Sequence, residues 1–284
     1  MRRILAILIL IAAIVALVAF RPTQSSTTPA DPEVAVTIFP VYDIVRIIAD
    51  GAVDVGLILP PGASPHTFEP TPSDLAAIND TQVIYHIGFG IDDWATRIAD
   101  DNTNVQTIVD GIVLRTVDGT VDPHYWLTVP NGKRIAAFVA EDLAQRFPEH
   151  ASTFQTNLTA YLTQLDDTDA QIRAVIAETR NNNIVTMHDA WYYFAEEYGL
   201  TILGTFEPEA AEEPTPQQLA MLQETVTTAD VHTVYVDADA STANIESFAD
   251  DNNLELIIVD AEGITYNSYI DLMLGNAQLI SQNR

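Results

Sequence analysis

The stretch Val53–Leu75, VDVGLILPPGASPHTFEPTPSDL, carries the repeating unit of the fold. It begins with an apolar run, VDVGLIL, that reads as a strand. It ends on Thr71-Pro72-Ser73-Asp74, where an N-cap candidate, a proline at the first helical position and an early acidic residue mark the start of a helix. Between them two prolines flank His66. Strand, loop and helix in that order form half of a βαβ unit, and they leave a histidine just past the carboxyl end of a strand.

The same alternation runs outward in both directions. VAVTIF from Val34 reads as a strand and Tyr42–Ile48 as a helix, while QVIYHI from Gln82 and NVQTIV from Asn104 are further strands. After a helical middle the pattern resumes with NIVTM, a helix from Ala190, LTILGTF, a helix after Thr215-Pro216-Gln217-Gln218, VHTVYV, a helix near Ile245–Asp250, LELIIV and a C-terminal helix. Gln218 stands where it can close a capping box on Thr215. Strands alternating with helices imply a mostly parallel α/β arrangement. From His150 to Glu178 the apolar residues Phe154, Leu158, Tyr161, Leu162, Leu165, Ile172, Val175 and Ile176 recur mostly at three- and four-residue steps, the face of one long amphipathic helix. The expected architecture is therefore two α/β lobes with mostly parallel central sheets, residues 34–149 and 179–284, joined by a rigid spine over 150–178. No internal repeat is visible.

Residues 1–20 lie apart from this pattern. Arg2 and Arg3 precede an unbroken apolar run from Ile4 to Phe20, which reads as a secretory signal or an N-terminal membrane anchor with the rest of the chain outside the cytoplasm. A bilayer span needs roughly 17–25 apolar residues, so the run suits either role. Residues 21–33, rich in Pro, Ser and Thr, read as a flexible tether. The 284-residue chain has no cysteine, which removes lipid-modified cysteine, disulfides, thiol nucleophiles and thiolate metal sites together. Its 40 acidic residues against 12 basic ones, a formal charge of −28, exclude nucleic acid as a partner and favour cations.

No glycine-rich phosphate loop follows a strand, and there is no Gly-x-Ser-x-Gly. Six histidines carry the remaining chemistry. His66 follows VDVGLILPPGASP, His188 follows NIVTM, and His124 lies in Val121-Asp122-Pro123-His124-Tyr125-Trp126, ahead of a helix starting near Pro130. Asp260 ends LELIIV. Ligands of open α/β sheets bind beyond the carboxyl ends of the strands. Three neutral imidazoles and one carboxylate would suit zinc in a tetrahedral site, and manganese or ferrous iron would accept the same donors. The four residues are far apart in sequence, so the alternative of unrelated loop residues with local hydrogen bonds stays open from spacing alone. His86 reads as a strand residue with a local partner, His150 as solvated, and His232 as the start of a strand. The acidic run Glu207–Glu213 reads as a solvated loop.

SPHTFEPTPSDL, DPHYWLTVPN and VTMHDAWYYFAEEYGL resemble the three histidine motifs of the TroA-like (cluster A-I) substrate-binding proteins of zinc and manganese ABC importers. FPVYDIVRIIADGAVDVGLILPPGASPH, GFGIDDW, EPEAAEEPTPQQL and LIIVDAEG are similar to other segments of that family, in the same order. The resemblance runs from about Val34 to the C-terminus. It implies two α/β lobes linked by one long helix, with the metal between them, His66, His124 and His188 on the histidine-ligand positions and Asp260 on the C-lobe carboxylate. Members regarded as manganese-specific usually carry glutamate at the position of His188, so histidine here implies zinc. The chain departs from the family in having only Arg115–Val121 where zinc members have a His-rich loop, Asp92 in place of glutamate and Ile87 in place of asparagine.

The expected function is capture of a divalent metal ion outside the cytoplasmic membrane, Zn2+ or Mn2+ as cargo, for an ABC permease. The protein would be a monomer and not an enzyme. Two other readings stand beside it. One is a zinc hydrolase with a three-histidine site and Asp260 or Asp189 as base. The other is an adhesion module that uses metal only for stability.

Overall fold

A computed structural model describes residues 32–283, apart from 79–80, 100–102, 118, 208–213 and 230. The apolar run Ile4–Phe20, most of the tether and most of the acidic run Glu207–Glu213 lie outside the described residues. Among the described residues no helix is long and apolar enough to cross a membrane. The described residues form one compact unit containing two four-stranded sheets.

In the first sheet the strands β1 (Val34–Val36), β2 (Val55–Leu57), β3 (Val83–His86) and β4 (Asn104–Thr107) are all parallel, in the order β2-β1-β3-β4. After a short antiparallel pair, β5 (Thr116–Val117) with β6 (Thr120–Val121), come the strands of the second sheet. These are β7 (Asn183–Thr186), β8 (Thr201–Thr205), β9 (Thr233–Asp237) and β10 (Glu255–Val259), again all parallel, in the order β10-β9-β7-β8. β1, β3 and β9 are fully buried, as apolar runs with no polar alternation require. Each sheet reverses its winding once, between β1 and β3 in the first and between β7 and β9 in the second. Such switch points are where ligands enter doubly wound sheets.

Helix α1 (Phe39–Ala49) follows β1, α2 (Pro72–Ala76) follows the His66 loop, α3 (Ala95–Ile98) precedes β4, and α4 (Val129–Arg146) follows the His124 loop. The expected α2 start is present: the Asp74 carboxylate accepts the backbone N–H of Thr71 at 2.7 Å. The spine, α5 (Ala151–Ile176), has 26 residues and is entered through a 3-10 turn at Pro148–His150. At 1.5 Å per residue it is roughly 39 Å long. It buries Phe154, Tyr161, Leu165, Ile172 and Ile176 on one face. That face meets α1 and α4 from the first half of the chain, and α6 (Tyr192–Tyr198) and α9 (Tyr269–Ile280) from the second. The remaining helices are α7 (Pro216–Thr228), with the expected Thr215–Gln218 capping box, and α8 (Ala243–Asn252).

Polar contacts tie the halves beside the spine. The buried Asp43 carboxylate of α1 accepts the N–H of Tyr269 at the start of α9 at 2.8 Å. Trp126 Nε1 donates to the carbonyl of Ala261 at 2.9 Å, and the Tyr269 hydroxyl reaches the carbonyls of Trp126 and Thr128. Gly132 leaves room for that ring, since a Cβ there would lie 2.5 Å from Tyr269 Oη. These bonds hold the Asp122–Thr128 loop between the two sheets.

Candidate metal centre

Three of the four candidate residues converge. His66 lies in the loop after β2, where Trp94 Nε1 donates to the carbonyl of Pro65 and the Phe68 ring meets Trp94 at 4.9 Å between centroids. His124 lies in the loop clamped by Trp126. His188 directly follows β7 and Met187 and opens the 3-10 turn Asp189–Trp191. The ring centroids are 5.3 Å apart for His66 and His124, 5.4 Å for His124 and His188, and 6.0 Å for His66 and His188. One ring nitrogen from each lies within 4.8 Å of the other two.

Carboxylates decide which nitrogens face inward. Asp122 Oδ1 accepts from His124 Nδ1 at 2.9 Å and from the His124 backbone N–H at 3.0 Å. Its other oxygen accepts from Arg115 at 3.1 Å, and the Arg115 guanidinium stacks over the Tyr192 ring at 3.7 Å. Asp237, at the end of β9, accepts from His188 Nδ1 at 2.7 Å and from Trp191 Nε1 at 2.9 Å. A carboxylate can only accept, so both imidazoles carry their proton on Nδ1 and turn Nε2 toward the cluster. Carboxylate–histidine pairs of this kind orient metal-binding imidazoles and raise their basicity. The sequence reading missed Asp237. Its address, a carboxylate at the carboxyl end of VHTVYV and beside the β7–β9 switch point, was the available signal.

The pairing also sets charge. Burial alone would pull the His188 pKa down, but the charge of Asp237 and its hydrogen bond overcome that and hold it at about 9. His66 has no such carboxylate. Burial, then the neighbouring His124 and His188, push its pKa down to about 3. His66 Nε2 and His124 Nε2 stand 3.2 Å apart.

Asp260 does not join the group. Its Oδ1 accepts the N–H groups of Glu262 (3.0 Å) and Gly263 (2.7 Å), and its Oδ2 accepts the N–H (2.7 Å) and hydroxyl (2.9 Å) of Thr265. A carboxylate has about four lone-pair sites, and here four donors fill them. Asp260 is thus the keystone of the loop between β10 and α9, a role the Asp-x-x-Gly pattern of Asp260–Gly263 could have signalled. Two residues on, Glu262 is buried, and desolvation, then Asp239, raise its pKa well above the usual carboxyl range.

A cavity of about 630 Å³ opens from the three imidazoles, walled by Arg115, Asp189, Tyr192 and the loop Phe89–Ile91. Three imidazole nitrogens converging at the mouth of a cavity can hold a borderline divalent cation once His188 gives up its Nε2 proton, and leave one position facing the cavity. That geometry alone serves binding and hydrolysis equally.

The comparisons with known proteins separate the two. The sequence profile of the zinc-uptake complex component A (periplasmic) family matches residues 34–283. The manganese-binding lipoprotein MntA of Halalkalibacterium halodurans is 30% identical over 249 residues, 82% of each chain. The iron ABC transporter substrate-binding lipoprotein MtsA of Streptococcus pyogenes serotype M1 is 27% identical over 290 residues, 94% of this chain and 93% of its own. A crystal structure of ZnuA superposes with a TM-score of 0.81 at 25% identity, covering 88% of this chain and 98% of its own. The chain belongs to the zinc-uptake complex component A family, a family of metal ABC transporter substrate-binding proteins and not of enzymes.

Proposed function

We propose that this member of the zinc-uptake complex component A family captures a divalent cation, with zinc as the preferred cargo, through His66, His124 and His188, and passes it to the permease of an ABC importer. The observation that carries the reading is the 3.2 Å approach of His66 Nε2 to His124 Nε2. Zinc bound to imidazole at about 2.0–2.1 Å gives a tetrahedron with edges of roughly 3.3–3.4 Å, so the two nitrogens already lie close to one such edge. Three nitrogen donors favour zinc over manganese, which prefers oxygen. The names of the relatives speak for manganese and iron in those proteins, so the donor set of this chain is the argument for zinc.

With Asp260 committed to its own loop, we assign the fourth position to water from the cavity. The cation is cargo, so an exchangeable fourth ligand suits release. The named relatives are lipoproteins, whereas this sequence has no cysteine to carry a lipid. We assign attachment at the outer face of the membrane to the apolar run Ile4–Phe20, and expect a monomer.

The test is metal analysis of the purified protein followed by competitive titration with Zn2+ and Mn2+. The reading predicts one tightly held zinc that manganese displaces only in large excess. Preferential retention of manganese would overturn the choice of metal, and failure to retain either would overturn the function.

A further inference from the structure

We propose a second cation site, built from His86, Asp92 and Asp93, at the switch point of the first sheet. His86 ends β3 and is 5% exposed. Its Nε2 lies 2.8 Å from Thr107 Oγ1 at the end of β4. Its Nδ1 is buried and has no hydrogen-bond partner among the described residues. The nearest carboxylate oxygen, Asp92 Oδ1, is 3.5 Å away. One oxygen of the exposed Asp93 completes a set whose three atoms lie within 4.8 Å of one another.

That 3.5 Å separation is long for a charge-assisted hydrogen bond, which runs at about 2.7–2.9 Å. It is close to the roughly 3.4 Å edge of a tetrahedron around an ion with bonds of about 2.1 Å. Thr107 supplies the outer partner that a metal-bound imidazole requires: with Nε2–H donating to Thr107 Oγ1, the lone pair of Nδ1 is free for the ion. Asp92 is fixed in turn. Its Oδ2 accepts from Thr37 Oγ1 at 2.6 Å and from the Ile87 N–H at 2.8 Å, and among the described residues its Oδ1 accepts only the Gly88 N–H at 2.7 Å, which leaves a lone pair for the cation. The connecting loop curls tightly, with positive φ at Gly88, Phe89 and Gly90. A Cβ on Gly88 would sit 3.1 Å from Thr107 Cγ2.

The second sheet holds His188 against Asp237 at its own switch point, so the two sheets present corresponding histidine–carboxylate pairs. One imidazole and two carboxylates suit a divalent transition metal. Asp93 opens the site to solvent, and the acidic chain attracts cations toward it. Phe89, Gly90 and Ile91 of the same loop wall the principal cavity, so a cation here would stiffen that wall.

The test is the zinc stoichiometry of the full chain, solubilised in detergent, by metal analysis after gel filtration and by calorimetry. The unaltered chain is expected to bind a second, weaker, saturable equivalent. His188→Ala should remove the first and keep the second. Asp93→Asn, an exposed change that leaves the core intact, should weaken the second by at least about tenfold and spare the first. Absence of a second equivalent, or a second equivalent that survives Asp93→Asn, would overturn the site. Loss of both equivalents in His188→Ala would also overturn it, whereas retention of both would count only against the principal site.

Discussion

His66 Nε2 and His124 Nε2 face each other at 3.2 Å, and the proton of His124 is held on its far nitrogen by Asp122. With His124 Nε2 left as an acceptor, a neutral His66 can donate its Nε2–H to it, and a metal ion held by both nitrogens would take the place of that proton. The loops that force the contact start from different parts of the chain, and each is pinned by a tryptophan. The approach is therefore built by the fold.

His188→Ala should weaken zinc binding by more than about 100-fold, beyond the roughly 10–100-fold that loss of an outer-shell partner costs. His232→Ala, at the entry to β9, should change it by less than about threefold, the effect expected of a residue outside the coordination shell. Titration against a competing chelator measures both. Equal effects would refute the ligand assignment.

Asp237→Asn removes the charge behind His188 while keeping an oxygen that can accept from Nδ1. Zinc affinity should fall by roughly 10–100-fold. The His188 pKa of the metal-free protein should move from about 9 back toward its ordinary value, since the carboxylate is what raises it. NMR titration of the imidazole reports the shift, and an unmoved pKa would contradict the pairing.

The pH dependence follows from the same two histidines. In the metal-free protein His188 keeps its proton up to about pH 9, while His66 stays neutral down to about 3. Zinc takes the unprotonated form, so binding at neutral pH must displace the His188 proton, and affinity should rise about tenfold per pH unit up to about 9. Calorimetry in buffers of different ionisation enthalpy should count about one proton released. The sign for folding is opposite. A raised folded-state pKa contributes stability that is fully present below the unfolded value of about 6.5 and is lost as pH rises through about 9, so the metal-free protein should become less stable across that window. An affinity flat between neutral pH and 9 would contradict this account.

Asp260→Asn separates a ligand from a loop keystone. An amide cannot accept all four of the bonds that the carboxylate takes, and each buried donor left unpaired costs about 1–3 kcal/mol. Thermal stability should drop clearly, with zinc affinity falling far less than in His188→Ala. A loss of affinity as large as that of His188→Ala would restore Asp260 to the coordination shell.

Much of this was legible in the sequence because the signals were local. Pro65-His66 and Met187-His188 each follow a strand-like run, which fixes both histidines at carboxyl ends, and three- and four-residue apolar steps marked the spine. The Val117–Thr120 segment, with Asp118-Gly119 at its centre, carried a hairpin signal that was overlooked between longer elements. Asp237 was less accessible, because its partner His188 lies 49 residues away and only the strand order makes them neighbours. Asp260 shows the opposite case: it has the address of a ligand, and the donors that meet its oxygens follow it within five residues. Address identified the loop, and the hydrogen-bond geometry shows what its carboxylate holds in the metal-free protein.

The most direct test of the central claim is X-ray absorption at the zinc edge of the protein loaded with one equivalent. The account predicts a shell of about three imidazole nitrogens and one oxygen at roughly 2.0–2.1 Å, with the imidazole signal reduced by one third in His66→Ala. A shell made mainly of oxygen, or one unchanged by His66→Ala, would contradict it.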